Sequence, residues 1–159
     1  SKRIKKAIKE INKSLETKLW LDDDSLDTKH GKKVFDHEKH AVKELMRVVK
    51  DEAKGKGKVS PVALAAAEDA IADLVDADRV LTGIALDEAK STPVADPKKA
   101  KKVAKEIAKA EKELAKALDE LDKGKPDKAI DKYKKAWEHA LDAIKHANKT
   151  GRGDDDDDD

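Results

Sequence analysis

Six consecutive aspartates close the chain, and they are the residues whose type and spacing best suit chemistry. They are Asp154, Asp155, Asp156, Asp157, Asp158 and Asp159. Adjacent carboxylates repel one another and bury no apolar surface, so this run is expected to be solvated and disordered. Carboxylate oxygens are the hard ligands that Ca²⁺ prefers, and several acting together gain affinity by multivalency. We therefore expect the six aspartates to bind calcium, as an ion or on a calcium mineral.

A short motif overlaps the start of the aspartate run. Arg152, Gly153 and Asp154 resemble the integrin-recognition tripeptide of extracellular-matrix proteins, and the acidic run is similar to those of bone-mineral proteins. The first resemblance implies that Arg152 enters an acidic receptor pocket while the Asp154 carboxylate completes a metal site. Together the resemblances imply an engineered chain for cell adhesion and hydroxyapatite attachment, with integrins and calcium phosphate as partners. Both motifs use Asp154 and therefore compete for it.

The histidines suggest a second kind of metal site. His37 and His40 are three residues apart and can share one helix face, where a neighbouring carboxylate would complete a site. His139 and His146 are two helical turns apart. Solvated surface histidines are the competing interpretation, because neither pair matches a known metal motif. A weak histidine and carboxylate metal site is therefore an alternative function.

A second acidic stretch, Asp22-Asp23-Asp24-Ser25-Leu26-Asp27, lies near the start of the chain. An EF-hand loop needs Gly at its sixth position, where this stretch has Asp27, so that calcium motif is excluded. These aspartates are expected to cap helices and stabilise turns.

Enzyme motifs are absent from the sequence. The chain has no cysteine, no glycine-rich phosphate loop and no Gly-x-Ser-x-Gly elbow. We therefore predict a non-enzymatic protein with no cofactor other than calcium.

The net charge of +1 conceals a difference between the tail and the rest of the chain. Without Arg152 and the six aspartates, 35 basic and 29 acidic residues remain, a net charge of +6. Charged residues make up 45% of the chain, against about 25% in ordinary globular proteins. Lysines are mixed with acidic residues and lack interleaved aromatics, which argues against nucleic-acid binding.

The elements that must position these residues are helices. Apolar residues recur every three or four positions and predict helices over about 2–16, 32–53 and 97–122. A third helix, which starts at Pro61, carries apolar residues as far as Ile84, and a fifth, which starts at Pro126, carries them as far as Ile144. Their starts are marked by Ser60 before Pro61, Asp96 before Pro97, and Pro126. Gly55 and Gly124 are placed to end the second and fourth helices. Short connectors predict an all-α antiparallel bundle of about five helices, residues 1–149, followed by a tail, residues 150–159.

Two residues interrupt the apolar stripe of the third predicted helix. Asp78 is charged, so Arg79 or a lysine from another helix is expected to pair with it. Gly83 costs about 1 kcal/mol relative to Ala inside a helix and is expected to mark a close helix crossing.

The helical body resembles uncharacterised helical modules of secreted prokaryotic proteins. The stretch Leu19-Trp20-Leu21-Asp22-Asp23 and the Lys-rich last hairpin carry this resemblance. It implies an extracellular or secreted interaction or structural module, with an incidental tail, as an alternative function. Ser1 in place of Met indicates a processed or recombinant chain. No signal peptide and no apolar run of about 20 residues is present, so membrane insertion is not expected.

Overall fold

A computed structural model describes residues 1–150 of the chain. They form five α-helices: α1 (Lys2–Ser14), α2 (Lys32–Ala53), α3 (Pro61–Ser91), α4 (Ala100–Asp122) and α5 (Pro126–Asn148). Two 3₁₀ turns, Thr17–Leu19 and Pro97–Lys99, precede α2 and α4. Residues 1–150 contain no strand, apart from one isolated bridge between Trp20 and Leu26. The predicted all-α bundle is confirmed.

The helices begin largely where the sequence signals place them. The Ser60 hydroxyl accepts a hydrogen bond from the Ala63 N–H at 3.1 Å, and α3 starts at Pro61. Asp96 caps the 3₁₀ turn instead of α4 itself, accepting from the Lys98 N–H at 3.0 Å. The fourth α-helix therefore begins at Ala100 and not at Pro97, because its first turn is wound more tightly.

Glycines end α2 and α4 as predicted. Gly55 and Gly124 adopt φ of +69° and +71°, in the left-handed region that glycine enters without a steric penalty. Gly83 does not behave as predicted, because a Cβ added there would meet no atom within 4 Å. A close approach to backbone occurs instead at Gly31, in the turn before α2, where an added Cβ would lie 2.5 Å from the Asp27 carbonyl oxygen.

Helix α5 occupies the centre of the bundle. It packs most extensively on α4 and also contacts α3 and α2, whereas α1 packs mainly on α2. Its inward face consists largely of alanines that are fully buried: Ala129, Ala136, Ala140, Ala143 and Ala147. Such small side chains allow neighbouring helices to approach closely. Larger side chains fill the remaining space, among them Phe35 and Trp137, whose ring centroids are 5.8 Å apart.

A smaller apolar cluster joins α1 to the bundle. Its buried members are Ala7, Ala41, Leu45, Val48 and Ala67. The main cluster lies around α5 and contains Phe35, Ile130 and Trp137. The two clusters together bury one face of every helix, which fixes the positions of the polar groups described next.

Candidate functional site

The residues predicted to bind calcium and a receptor lie outside the described part of the chain. They are Arg152, Gly153, Asp154, Asp155, Asp156, Asp157, Asp158 and Asp159. The structure does describe the point from which they continue. Ala147, in the last turn of α5, is fully buried, and its carbonyl accepts a hydrogen bond from the Ala95 N–H at 2.8 Å. The end of α5 is thus fixed to the connection between α3 and α4.

A histidine and a glutamate meet where α2 packs on α1. His37 Nδ1 lies 2.8 Å from Glu10 Oε2, and Lys13 Nζ lies 3.1 Å from the other oxygen of Glu10. Partial burial raises the pKa of Glu10, but the hydrogen bonds from His37 and Lys13 outweigh it and hold that pKa below its ordinary value. His40 Nδ1 lies 3.9 Å from the same carboxylate.

The carboxylate beside His37 and His40 is therefore Glu10 of α1. The acidic neighbours on α2 itself have other partners. Asp36 accepts from Lys134 Nζ of α5 at 2.8 Å, and Glu44 pairs with Arg3 of α1 at 3.3 Å. These ion pairs tie α2 to α1 and to α5.

A similar contact joins α4 and α5. His139 Nδ1 lies 2.7 Å from Glu106 Oε2, and Lys109 Nζ lies 3.2 Å from Glu106 Oε1. Asp142 follows one turn after His139 on α5. Candidate ligand atoms of Glu106, His139 and Asp142 all lie within 4.8 Å of one another. In residues 1–150 this is the one group of three such side chains close enough to share a metal ion.

The histidine spacing in the sequence paired His139 with His146, whereas the structure gives it other partners. His146 lies near the same group but does not belong to it. Burial lowers the pKa of His146, Lys149 lowers it further, and the charges of Glu106 and Asp142 oppose the change. The structure thus groups His139 with two carboxylates, one of them from α4.

Two carboxyl groups are buried between α2 and α3. Asp78 is fully buried and Glu38 is 5% exposed. The expected partner Arg79 instead holds Asp76, with 2.6 Å between Arg79 Nη2 and Asp76 Oδ1. Apart from the Glu38 carboxyl, no group in residues 1–150 lies in hydrogen-bonding reach of the Asp78 oxygens. The prediction of a cationic partner for Asp78 is therefore wrong.

Burial favours the protonated form of both carboxyls in this pair. Burial raises the pKa of Asp78 well above its usual range, and the adjacent Glu38 raises it further. Burial also raises the pKa of Glu38, although contacts with Asp78 and Ser14 oppose the rise. The Ser14 hydroxyl donates its one hydrogen to the Ile11 carbonyl at 2.7 Å. Because both Asp78 oxygens are buried without a hydrogen-bond partner in residues 1–150, we expect Asp78 and Glu38 to share a proton.

Polar groups of α3 and α5 extend this buried layer. Thr82 Oγ1 donates to the Tyr133 carbonyl at 3.1 Å. The Tyr133 hydroxyl is buried and has no hydrogen-bond partner in the described residues, and burial raises the pKa of Tyr133. The sequence analysis did not identify Glu38 as a buried polar residue. The signal for Glu38 was its position between Phe35 and Ala41, three residues from each on the inward face.

The acidic stretch before α2 has the turn-forming role predicted for it. Asp22 Oδ1 accepts from the Asp24 N–H at 3.0 Å. Asp27 Oδ2 accepts from the backbone N–H groups of Lys29 and His30, at 3.1 and 2.7 Å. These contacts stabilise the turn that leads into α2.

Neither the hydropathy of the helices nor comparison with known proteins indicates a function. Among residues 1–150, no helix combines the length and apolar character needed to cross a bilayer. Comparison of the chain with protein-family models, curated proteins and solved structures found no match. The function of the chain is therefore inferred from its own residues.

Proposed function

We propose that the chain is a non-enzymatic, engineered helical scaffold that attaches to calcium mineral and to cells through its C-terminal residues. Asp154–Asp159 would bind calcium, and Arg152, Gly153 and Asp154 would bind an integrin. The observation that carries the proposal is the unbroken run of six aspartates, which begins a few residues after the bundle. Several carboxylates acting on an ordered calcium lattice bind by multivalency, which needs no preformed pocket.

The attachment of α5 supports a scaffold role for the bundle. This helix is the most enclosed element, and its alanine face remains buried as far as Ala147. The hydrogen bond from the Ala95 N–H to the Ala147 carbonyl holds its last turn. A force applied to the residues after α5 would therefore act on the core of the bundle and not on a loosely packed helix.

Adsorption to calcium phosphate tests the mineral function. Changing Asp154–Asp159 together to asparagine preserves length and removes six charges. We expect the amount of protein bound at a given free concentration to fall about tenfold or more, since multivalent gains span about two to four powers of ten. The matched control changes the exposed Asp22, Asp23 and Asp24 to asparagine and should bind as the unmodified chain does. Equal adsorption of all three proteins would refute the mineral function.

Cell attachment tests the receptor function separately. Asp154→Glu keeps the charge but moves the carboxylate by one methylene, which should abolish integrin-dependent attachment. Adsorption to mineral should persist, because five aspartates and the new carboxylate remain. Unchanged cell attachment by this variant would refute the adhesion function and leave the mineral function standing.

An exposed apolar patch favours a second candidate function, an interaction module. Leu15 and Leu21 are 61% and 63% exposed and line one surface cleft together with Trp20. The Trp20 ring is fixed because its Nε1–H donates to the Ser14 carbonyl at 2.8 Å. Exposed apolar groups that form one contiguous patch are typical of interaction surfaces.

A second copy of the chain is the first partner to test on this patch. Sedimentation velocity over a concentration series should show association that Leu21→Lys removes and Asp154–Asp159→Asn leaves intact. A monomer at every concentration would exclude self-association through the patch.

A further inference from the structure

The α1–α2 and α4–α5 hairpins carry the same ionic arrangement. Each first helix contains Lys-Glu-Ile-x-Lys, at residues 9–13 and 105–109, and each second helix contains aromatic-acid-His, at residues 35–37 and 137–139. In both hairpins the glutamate bridges the histidine and the second lysine. The Nδ1–Oε2 distances are 2.8 and 2.7 Å, and the Nζ–Oε1 distances are 3.1 and 3.2 Å. The α1–α2 hairpin can therefore serve as a reference for the α4–α5 hairpin.

The two hairpins differ one turn after the histidine. In α5 that position is Asp142, and in α2 it is His40. A single zinc ion lies about 2.0–2.2 Å from nitrogen and oxygen ligands, so its ligand atoms are at most roughly 4 Å apart. The donors of Glu106, His139 and Asp142 all lie within 4.8 Å of one another, so small side-chain rotations would suffice. The described residues Glu10, His37 and His40 do not form such a group.

We propose that Glu106, His139 and Asp142 bind a divalent transition metal of the zinc class. One imidazole nitrogen and two carboxylate oxygens form a mixed ligand set that zinc accepts, and water would complete the coordination. The two carboxylates offset the charge of the ion. This site is independent of the calcium function proposed for Asp154–Asp159, because imidazole ligands favour transition metals over calcium.

The surroundings of the three ligands suit capture of an ion. The side chains of Glu106 and His139 are only 14% and 29% exposed and already hold one another in place. Lys109 competes for Glu106, but its side chain is 44% exposed and can turn into solvent when an ion arrives. Metal ligands bind in their deprotonated forms, so binding should weaken as pH falls.

Zinc titration of the ¹⁵N-labelled full chain tests the site directly. Imidazole ¹⁵N resonances report on each histidine, and the aspartate run contributes none because it contains no histidine. We expect zinc to shift the His139 resonances at concentrations that leave those of His37 unchanged. An unmoved His139 signal in excess zinc, or equal responses of His139 and His37, would overturn the proposal.

Two variants separate a three-ligand site from binding to a single histidine. Asp142→Asn removes a ligand from an exposed position where the fold should tolerate it, as circular dichroism can verify. The zinc concentration at the midpoint of the His139 shift should rise about tenfold or more, because even supporting groups of metal ligands matter by about that factor. His37→Gln is the matched control in the other hairpin and should leave the midpoint unchanged. An unchanged midpoint for Asp142→Asn would contradict the three-ligand site.

Discussion

The buried carboxyls Glu38 and Asp78 differ in behaviour from the carboxyls Glu10 and Glu106 at the helix interfaces. In the buried pair no cation is in reach, so burial dominates and raises both pKa values. At the interfaces a histidine and a lysine flank each glutamate, and these contacts hold its pKa below the ordinary value despite partial burial. The same functional group thus prefers to be neutral in the core and ionised at an interface. The deciding difference is the presence of donors.

The comparison gives two opposite dependences of stability on pH. A carboxyl with a raised pKa binds more protons in the folded state, so the Asp78 pair lowers the free energy of unfolding as pH rises above about 4. A carboxyl with a lowered pKa contributes stability that is present above about 4 and is lost as pH falls through its folded-state pKa. The bundle should therefore be most stable at mildly acidic pH.

The largest effect is expected from Asp78→Asn, which removes the raised pKa altogether. Asparagine cannot ionise, and its amide can donate to Glu38 as the protonated acid does. We expect the free energy of unfolding to rise by about 1–3 kcal/mol at pH 8, the usual cost of an unsatisfied buried polar group. Near pH 4 the gain should vanish. Urea unfolding at pH 4, 6 and 8 measures the difference.

The matched control for this variant is Asp76→Asn. Asp76 is exposed and pairs with Arg79, and exposed ion pairs contribute about 0–1 kcal/mol. Parallel stability profiles for Asp78→Asn and the unmodified chain would show that the buried pair does not share a proton.

An intermediate effect is expected at the two interface glutamates. Glu10→Gln and Glu106→Gln should each lower the free energy of unfolding by about 1–2 kcal/mol at pH 6, where a charge-assisted hydrogen bond to histidine is lost. The loss should shrink below pH 4, where the glutamate itself becomes protonated. Thermal unfolding of the two variants at pH 3 and pH 6 checks both statements.

Added zinc should affect the thermal stability of these two variants differently. Zinc should raise the melting temperature of the unmodified chain and of Glu10→Gln, but not that of Glu106→Gln, because a ligand that binds only the folded state stabilises it. Equal stabilisation of both variants would place the metal elsewhere.

Much of the fold could be predicted because local chemistry determines it. The start of α3 follows from Ser60 before Pro61, and the end of α4 follows from Gly124, since capping involves residues only a few positions apart. The 3₁₀ turn before α4 could not be predicted from the sequence, because Asp96 and Pro97 are compatible with an α-helical or a 3₁₀ first turn. Which helices become neighbours depends on the packing of the whole chain. The apolar periodicity of a single helix therefore does not predict its neighbours.

The candidate site, like the fold, could be predicted from the sequence only in part. His139 could be identified from the sequence, but its partner Glu106 lies 33 residues away on another helix. Asp142 stands at helical spacing from His139, but with 35 acidic residues in the sequence this spacing alone does not single it out. The charge on the inward face at Asp78 was visible, whereas its partner was expected to be a cation and is a second acid. That outcome required burial, which only the assembled bundle supplies.

The smallest expected effect concerns the edge of the buried polar layer. Tyr133→Phe removes a hydroxyl that has no partner within residues 1–150, so the free energy of unfolding should stay within about 0.5 kcal/mol or rise slightly. Thr82→Val removes a hydroxyl that donates to the Tyr133 carbonyl and should cost about 1 kcal/mol. Urea unfolding of both variants at pH 6 makes the comparison. A loss of 1 kcal/mol or more in Tyr133→Phe would mean that the phenol finds a hydrogen-bond partner, and the Asp78 carboxyl, which acts on the pKa of Tyr133, is the first candidate. In that case the acid pair would not depend on a shared proton alone, and the stabilising effect expected of Asp78→Asn would shrink accordingly.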